Sequence, residues 1–269
     1  MKNILIPTDF SELATNAVDI GVKLARSTNS KIYILHVAST KEKTEDSQKK
    51  MDDLLNSKML KDVDAEPVFL QEKIEGAIVK TARDIDVDII VMGARGEKLS
   101  SRIVGSNTER VVRLAQRPVL VIKNKIEHFK IENIVFASSF YNEIKPVFPK
   151  IQQFAEFNDA KLHLLKVITP KNFETTSYTR KLMTDFAHRN DLKNYTINIY
   201  NEESKDAGIN KFAKEVNADL IAMTTHGRKG LSQVLLGSLT ETVASESQIP
   251  VLSVKLPEKK PNNRILFPE

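Results

Sequence analysis

The chain has 269 residues, 41% of them hydrophobic, which is enough for one large domain or two of ordinary size. It contains no cysteine, which excludes disulfides, a thiol nucleophile and a cysteine-based zinc site. The net charge of +5 is shared between the two halves of the chain and forms no basic cluster, so nucleic acid is not favoured as the main partner.

No apolar run approaches the roughly 18 residues that a membrane span needs. The opening "MKNILIPTDF" lacks the long apolar core of a signal peptide, because Asp9 interrupts it. We therefore expect a cytoplasmic protein without a membrane partner.

The first half of the chain alternates predicted strands with predicted helices. The strands are expected at 4–8, 31–38, 67–70, 89–92 and 119–123, and the helices at 11–27, 41–60, 74–85 and 106–115. Within 41–60, Met51, Leu54, Leu55 and Met59 form one helical stripe, which is typical of core packing.

The second half repeats the first at a spacing of about 130 residues. "KNILIPTDFSE" is echoed by "ENIVFASSFYN", "KIYILHVAS" by "KLHLLKVIT", and "VDIIVMGARG" by "ADLIAMTTHG". "VGSNTERVVRLAQRPVLVIK" is echoed by "LGSLTETVASESQIPVLSVK". We therefore predict two copies of one domain, residues 1–127 and residues 128–269, the second with a C-terminal extension.

Strands rich in Ile and Val that alternate with helices predict a parallel sheet covered on both faces. Each copy is thus predicted to be an open, doubly wound α/β unit of five parallel strands. Ligands bind such sheets at the carboxyl ends of the strands. In the first copy these ends are 7–9, 37–39 and 93–96, so all three are expected to converge on one crevice.

The glycine-rich stretch "MGARGEKLSSRIVGSNTE" has two interpretations. Ser106 and Glu109 match a capping box, as do Ser238 and Glu241, and Asp9 with Glu12 matches the same pattern for the first helix. Alternatively, free amides at a helix N-terminus attract phosphate, glycines allow its close approach, and a carboxylate after the first strand can bind ribose hydroxyls. The residue spacing leaves both interpretations open.

The motifs "ILIPTDFSE", "ILHV" and "MGARG…VGSNTERVVRLAQRPVLVIK" resemble the universal stress protein family across nearly the whole chain. The resemblance implies an adenine nucleotide alpha hydrolase-like fold, with dimer pairing through the last strand. In a tandem chain this would be an internal pseudo-dimer of 119–123 with 251–255, and a homodimer of chains stays open. One branch of the family binds ATP through Gly-x2-Gly-x9-Gly-(Ser/Thr); the other lacks this motif.

The resemblance implies an adenine nucleotide site in the first copy. It would use Pro7, Thr8, Asp9, Val37, Met92, Gly93, Arg95, Gly96, Gly105, Ser106 and Asn107. Arg95 either reaches a phosphate or is a solvated loop residue. The gap from Gly96 to Gly105 holds eight residues instead of the family's nine, which can shift an extended chain by about 3.5 Å.

The second copy is expected to be a degenerate site. It keeps Gly227, Gly237, Ser238 and Leu239, but Thr224 replaces the first glycine and Ser139 replaces the aspartate. Pro149 aligns with Asp19 inside the first helix, so the corresponding helix must start late or kink. Weak anion binding by the remaining loop stays open.

The five histidines show no metal-ligand spacing, and His163 is expected to be a satisfied core or edge residue. No serine-hydrolase elbow or P-loop is present, and no redox cofactor is expected. The leading hypothesis is a cytoplasmic stress-response protein that binds ATP, ADP or AMP, with or without Mg²⁺, mainly in the first copy. It would be a nucleotide-responsive binding module with at most slow hydrolysis or autophosphorylation. The alternative is a structural or interaction module that binds no nucleotide.

Overall fold

The computed structural model describes residues 1–38, 44–94, 106–127, 129–225, 239–240, 242–244 and 247–257. The first half contains β1 (Asn3–Pro7), α1 (Glu12–Thr28), β2 (Lys31–Val37), α2 (Thr44–Leu55), β3 (Ala65–Leu70), α3 (Ile74–Asp84), β4 (Ile89–Gly93), α4 (Ser106–Leu114) and β5 (Val119–Ile122). The second half contains β6 (Asn133–Ala137), α5 (Phe148–Phe157), β7 (Lys161–Ile168), α6 (Thr176–Arg189), β8 (Tyr195–Asn201), α7 (Lys205–Glu215), β9 (Leu220–Thr225) and β10 (Val251–Lys255). Two short 3-10 turns, Asn142–Ile144 and Pro170–Asn172, follow β6 and β7.

The ten strands form one sheet in the order β3-β2-β1-β4-β5-β10-β9-β6-β7-β8. Every neighbouring pair is parallel except β5 and β10, which run antiparallel, with Val121 opposite Val251 and Val119 opposite Ser253. The predicted α/β class is therefore confirmed. Two doubly wound, five-stranded parallel units join through their last strands as an internal pseudo-dimer.

Alternating strand residues build a separate core on each face of the sheet. In β1, Ile4 and Ile6 pack on one face and Leu5 packs on the other, and all three are fully buried. Each of the two cores contains residues from both halves of the chain. The helices on both faces therefore exclude water from a core that is continuous across the β5–β10 junction.

The first helix of the two halves differs in length, as Pro149 predicts. Helix α1 has 17 residues, and Ser11 caps it by accepting a hydrogen bond from the Ala14 amide. Helix α5 has only 10 residues and begins next to Pro149, with no side-chain cap. Proline is tolerated in a first turn because the amide that it lacks would be unsatisfied there anyway. The prediction that this helix starts late is confirmed.

Two details differ from the sequence-based expectations. The helix predicted over 41–60 ends at Leu55 and is followed by turns, although Met51 and Leu60 still reach the core. Asp9 was one candidate cap for α1, but the N-cap is Ser11. The Asp9 carboxylate instead accepts a hydrogen bond from the Ser11 amide at 3.0 Å, which shapes the turn before the helix.

Candidate functional site

In the first half, the carboxyl ends of three adjacent strands form one edge of the sheet. The strands β2, β1 and β4 are neighbours and end at Val37, Pro7 and Gly93. Thr8 follows β1, is buried, and donates its amide hydrogen to the Leu35 carbonyl at 2.8 Å. Asp9 comes next and is exposed. The structure thus brings Pro7, Thr8, Asp9 and Val37 to the same edge, as predicted.

A buried histidine supports this edge from within. His36 is 4% exposed, and its Nδ1 lies 2.9 Å from the Thr8 carbonyl oxygen. Because a carbonyl only accepts, Nδ1 is the protonated nitrogen of this contact. The ring of Phe10 lies 4.7 Å from the His36 ring, and that of Phe69 lies 6.2 Å away, edge-on. His36 thereby links the end of β2 to the turn that carries Asp9.

Helix α4 begins beside the end of β4. The Thr108 hydroxyl donates to the Gly93 carbonyl at 3.3 Å, which ties the first turn of α4 to the strand. Asn107 is half-buried, and Met92 is buried. The N-terminus of α4 therefore faces the same edge of the sheet as Asp9, and its free amides give that edge a partial positive charge.

Several predicted site residues lie outside the described residues: Arg95, Gly96 and Gly105 in the first half, and Gly227, Gly237 and Ser238 in the second. The side chain of Ser106 lies outside them too, so the predicted capping box is untested there. Its proposed partner Glu109 pairs with Arg113 at 3.2 Å, one turn later in α4.

Gly93 has a packing role that its sequence motif does not reveal. A Cβ at this position would lie 2.7 Å from the carbonyl oxygen of Leu13 and 2.9 Å from its carbonyl carbon. Such distances are well inside van der Waals contact, so only glycine lets the first turn of α1 rest on the end of β4.

The second half accommodates Thr224 at the equivalent position because its first helix starts late. Glu143, which aligns with Leu13, belongs to the 3-10 turn Asn142–Ile144. Glu143 and Thr224 line a cavity of about 230 Å³ at the carboxyl ends of β6, β7 and β9. Ser139 and Leu239, two residues of the predicted degenerate site, also line it.

A charged network that was not predicted from the sequence lies in the wall of this cavity. Lys166 is 5% exposed, and its Nζ lies 2.6 Å from a Glu174 carboxylate oxygen. The Tyr141 hydroxyl donates to the other Glu174 oxygen at 2.9 Å, and the Thr179 hydroxyl donates to Glu174 at 3.2 Å. Lys166 Nζ also lies 4.7 Å from the centre of the Tyr141 ring.

This network shifts two pKa values in opposite directions. Burial, followed by the hydrogen bond to Glu174, raises the pKa of Tyr141. Burial alone would raise the pKa of Glu174 too, but the bonds from Lys166 and Tyr141 outweigh it and lower that pKa. Lysine at 166, between the apolar residues Leu165 and Val167 and at the repeat position of His36, was the feature that could have revealed the network.

His163 is a satisfied core histidine, as predicted. Its Nδ1 lies 2.9 Å from the Thr196 hydroxyl and its Nε2 lies 3.2 Å from the Asn133 side-chain oxygen. Burial and the charge of Lys161 lower its pKa. Within the described ranges, no group of three or more histidine or carboxylate side chains is arranged to hold a metal, and no helix is long and apolar enough to cross a membrane.

The fold and these edges define a class: a tandem α/β protein whose two halves each gather candidate site residues at the carboxyl ends of their strands. The family model described as the universal stress protein family matches residues 1–123 and again residues 131–255. The chain belongs to the universal stress protein family.

Some similar proteins align with nearly the whole chain, and others align with only about half of it. Universal stress protein Slr1230 of Synechocystis is 22% identical over 95% of this chain and 100% of its own length. Universal stress protein MJ0577 of Methanocaldococcus jannaschii is 30% identical, over 46% of this chain and 96% of its own. A crystal structure of a universal stress protein from Archaeoglobus fulgidus matches 94% of this chain and 98% of its own, with a TM-score of 0.78 and 20% identity. This last likeness shows the fold.

Proposed function

We propose that this protein binds one adenine nucleotide, ATP, ADP or AMP, at the strand edge of its first half, and acts as a nucleotide-responsive binding module in the cytoplasm. The observation that supports this proposal is that Asp9 and the N-terminus of α4 lie at the same edge of the sheet. The hydrogen bond from Thr108 to Gly93 holds α4 there. A carboxylate suits ribose hydroxyls, and a helix N-terminus suits phosphate.

Different predicted residues would contact the ribose, the adenine and the phosphates of the nucleotide. Asp9, oriented by the Ser11 amide, would accept hydrogen bonds from the ribose, and the backbone at Val37 would contact the adenine. Gly96, Gly105, Ser106 and Asn107 would surround the phosphates, with Arg95 adding charge. Any Mg²⁺ would be held mainly by the phosphates, because the described residues offer no cluster of metal ligands.

The proposal treats residues 1–127 and residues 128–269 as two domains with unequal roles. The first keeps Asp9 and its motif glycines, whereas the second has Ser139 and Thr224 at the matching positions. No general base is assigned at the first edge, so hydrolysis or autophosphorylation would be slow at most. Nucleotide occupancy would order the 96–105 loop and thereby alter the surface offered to a partner.

A second candidate function is an interaction module that binds no nucleotide. The observation in its favour is that Gly93 is already explained by packing against Leu13, so that part of the motif needs no ligand. The two candidates differ in what Gly96 must do, because glycine there matters only if a phosphate approaches the backbone closely.

The test is titration of the full chain with ATP, ADP and AMP by isothermal calorimetry, beginning with protein from which bound nucleotide has been removed by reversible unfolding. We expect saturable binding of one nucleotide per chain. Gly96→Val should weaken it at least tenfold. Gly227→Val, the matched substitution in the second loop, should leave both affinity and stoichiometry unchanged.

Asp9→Ala tests the ribose contact separately from the phosphate loop. It should weaken all three nucleotides by a similar factor, because all three carry the same ribose. Absence of saturable binding in the parent, or equal binding by Gly96→Val, would favour the interaction module instead.

A further inference from the structure

We propose that the cavity of the second half is a ligand site of its own, which takes a small organic monocarboxylate with an apolar body. This site is independent of the nucleotide site proposed for the first half. Three features support this site: the Lys166 network, Lys205 and the lining of the cavity.

Burial of the Lys166–Glu174 pair carries a large desolvation penalty. Removing two charges from water costs several kcal/mol for each ion, and apolar side chains of similar size often replace such pairs without loss of stability. In the first half, His36 fills the position of Lys166, and its Nδ1 contacts the Thr8 carbonyl oxygen. The fold itself therefore does not require an ammonium group at this position.

The groups of this network that remain available to a ligand are hydrogen-bond donors. Glu174 already accepts from Lys166, Tyr141 and Thr179, so its oxygens are occupied. Lys166 uses one of its three N–H donors on Glu174 and lies over the Tyr141 ring, and it makes no second hydrogen bond to a described residue. Glu174 thus holds the Lys166 ammonium in place, and the two remaining donors call for an acceptor on a ligand.

A second lysine in the lining favours an anionic group as this acceptor. Lys205 is the first residue of α7 and lines the same cavity, and no described carboxylate pairs with it. The 11-residue helix α7 adds the partial positive charge of its N-terminus. The other carboxylate in the lining, Glu143, already accepts from the Ser139 hydroxyl. A ligand carboxylate would thus find two ammonium groups, those of Lys166 and Lys205, in the lining of one cavity.

The volume of the cavity and its apolar lining residues indicate the size of the ligand and its apolar portion. The cavity lining includes six apolar side chains, those of Leu165, Val167, Ile168, Ile209, Met223 and Leu239, beside short polar ones such as Ser138 and Thr240. At about 30 Å³ for each water-sized group, a volume of about 230 Å³ is enough for a ligand of roughly eight non-hydrogen atoms. A carboxylate with a short hydrocarbon body fits both the volume and the lining.

Hexanoate, with eight non-hydrogen atoms, is a suitable probe, and hexanamide is its neutral counterpart. Calorimetry and saturation-transfer NMR on the full chain should show saturable binding of one hexanoate, at least tenfold tighter than hexanamide. Lys205→Met should weaken hexanoate about tenfold, since it removes one cation from an accessible helix terminus. Lys211→Met, in the same helix but paired with Glu202 and outside the cavity lining, should bind like the parent.

Lys166 is tested in a form that leaves no buried charge unpaired. The double variant Lys166→Met with Glu174→Gln should fold and lose the preference for hexanoate over hexanamide. No saturable binding up to about 10 mM would overturn the proposal, as would equal binding by parent and Lys205→Met. Displacement of hexanoate by ATP in the Gly96→Val background would also overturn it, because the second half would then be a nucleotide site.

Discussion

Replacing Gly93 by alanine probes the close packing of α1 on β4. The added Cβ would meet the carbonyl group of Leu13 at 2.7 Å and 2.9 Å, and both contacts are with backbone atoms, which cannot rotate away. Either the first turn of α1 or the end of β4 must therefore move. The Ser11 cap and the Thr108–Gly93 bond hold these two segments in place.

The expected cost follows from two opposing effects. Overpacking of a well-packed interior usually costs about 1–3 kcal/mol. Gly93 does not have a positive φ, so alanine brings no backbone strain and recovers about 0.4–1 kcal/mol by restricting the unfolded chain. The free energy of unfolding should fall by about 1–2 kcal/mol. With a urea slope of about 1–3 kcal/mol per molar, the midpoint should move down by about 0.3–2 M.

Urea unfolding followed by circular dichroism measures this change, and Gly76→Ala is the matched control. Gly76 is exposed in α3, and a Cβ there would have no neighbour within 4 Å. Alanine at 76 should stabilise the protein by about 0.5–1 kcal/mol, because it favours the helix. If Gly93→Ala were as stable as the parent or matched the gain of Gly76→Ala, the packing explanation of Gly93 would be refuted.

Two further predictions concern buried charge. Glu174→Leu should lower the free energy of unfolding, measured in urea, by about 3–5 kcal/mol, since Lys166 loses its counter-ion. Adding Lys166→Met should restore most of the lost stability. A double variant as unstable as Glu174→Leu would contradict this explanation. Because the pKa of His163 is lowered, its stabilising contribution is complete above about pH 6.5 and is lost as pH falls towards the folded-state pKa. Urea midpoints measured from about pH 8 to about pH 5 should fall more steeply for the parent than for His163→Asn, and equal slopes would contradict the assignment.

Most of the fold could be predicted because local periodicity and the repeat agree with each other. Strands of four to eight residues alternate with helices in both halves, so the parallel order within each half follows from short right-handed connections. The late start of α5 was predictable from Pro149 alone, since proline cannot sit inside a helix without losing a bond. Pairing of β5 with β10 was inferred from family resemblance, because strand partners distant in sequence leave no local pattern.

The site was less predictable because its important contacts are tertiary. Gly93 carries a motif in the sequence, but the carbonyl of Leu13 that forbids a side chain there is visible only in the packed structure. Glu174 lies in the segment after β7 and meets Lys166 only once the chain has folded back over the strand end. The Ser11 cap of α1 was not predicted from the sequence because Asp9, two residues earlier, matches a capping pattern as well.

The antiparallel contact of β5 with β10 has an evolutionary consequence. Two identical chains that meet through one strand must present the same surface twice, so any substitution at the junction appears on both sides of it. In this chain each side is encoded separately, and Ser253, whose buried hydroxyl has no hydrogen-bond partner among the described residues, lies opposite Val119. The linkage also keeps the two sides together at any dilution. A change on one side of the junction therefore need not be matched on the other, so the two halves can differ in sequence and in chemistry.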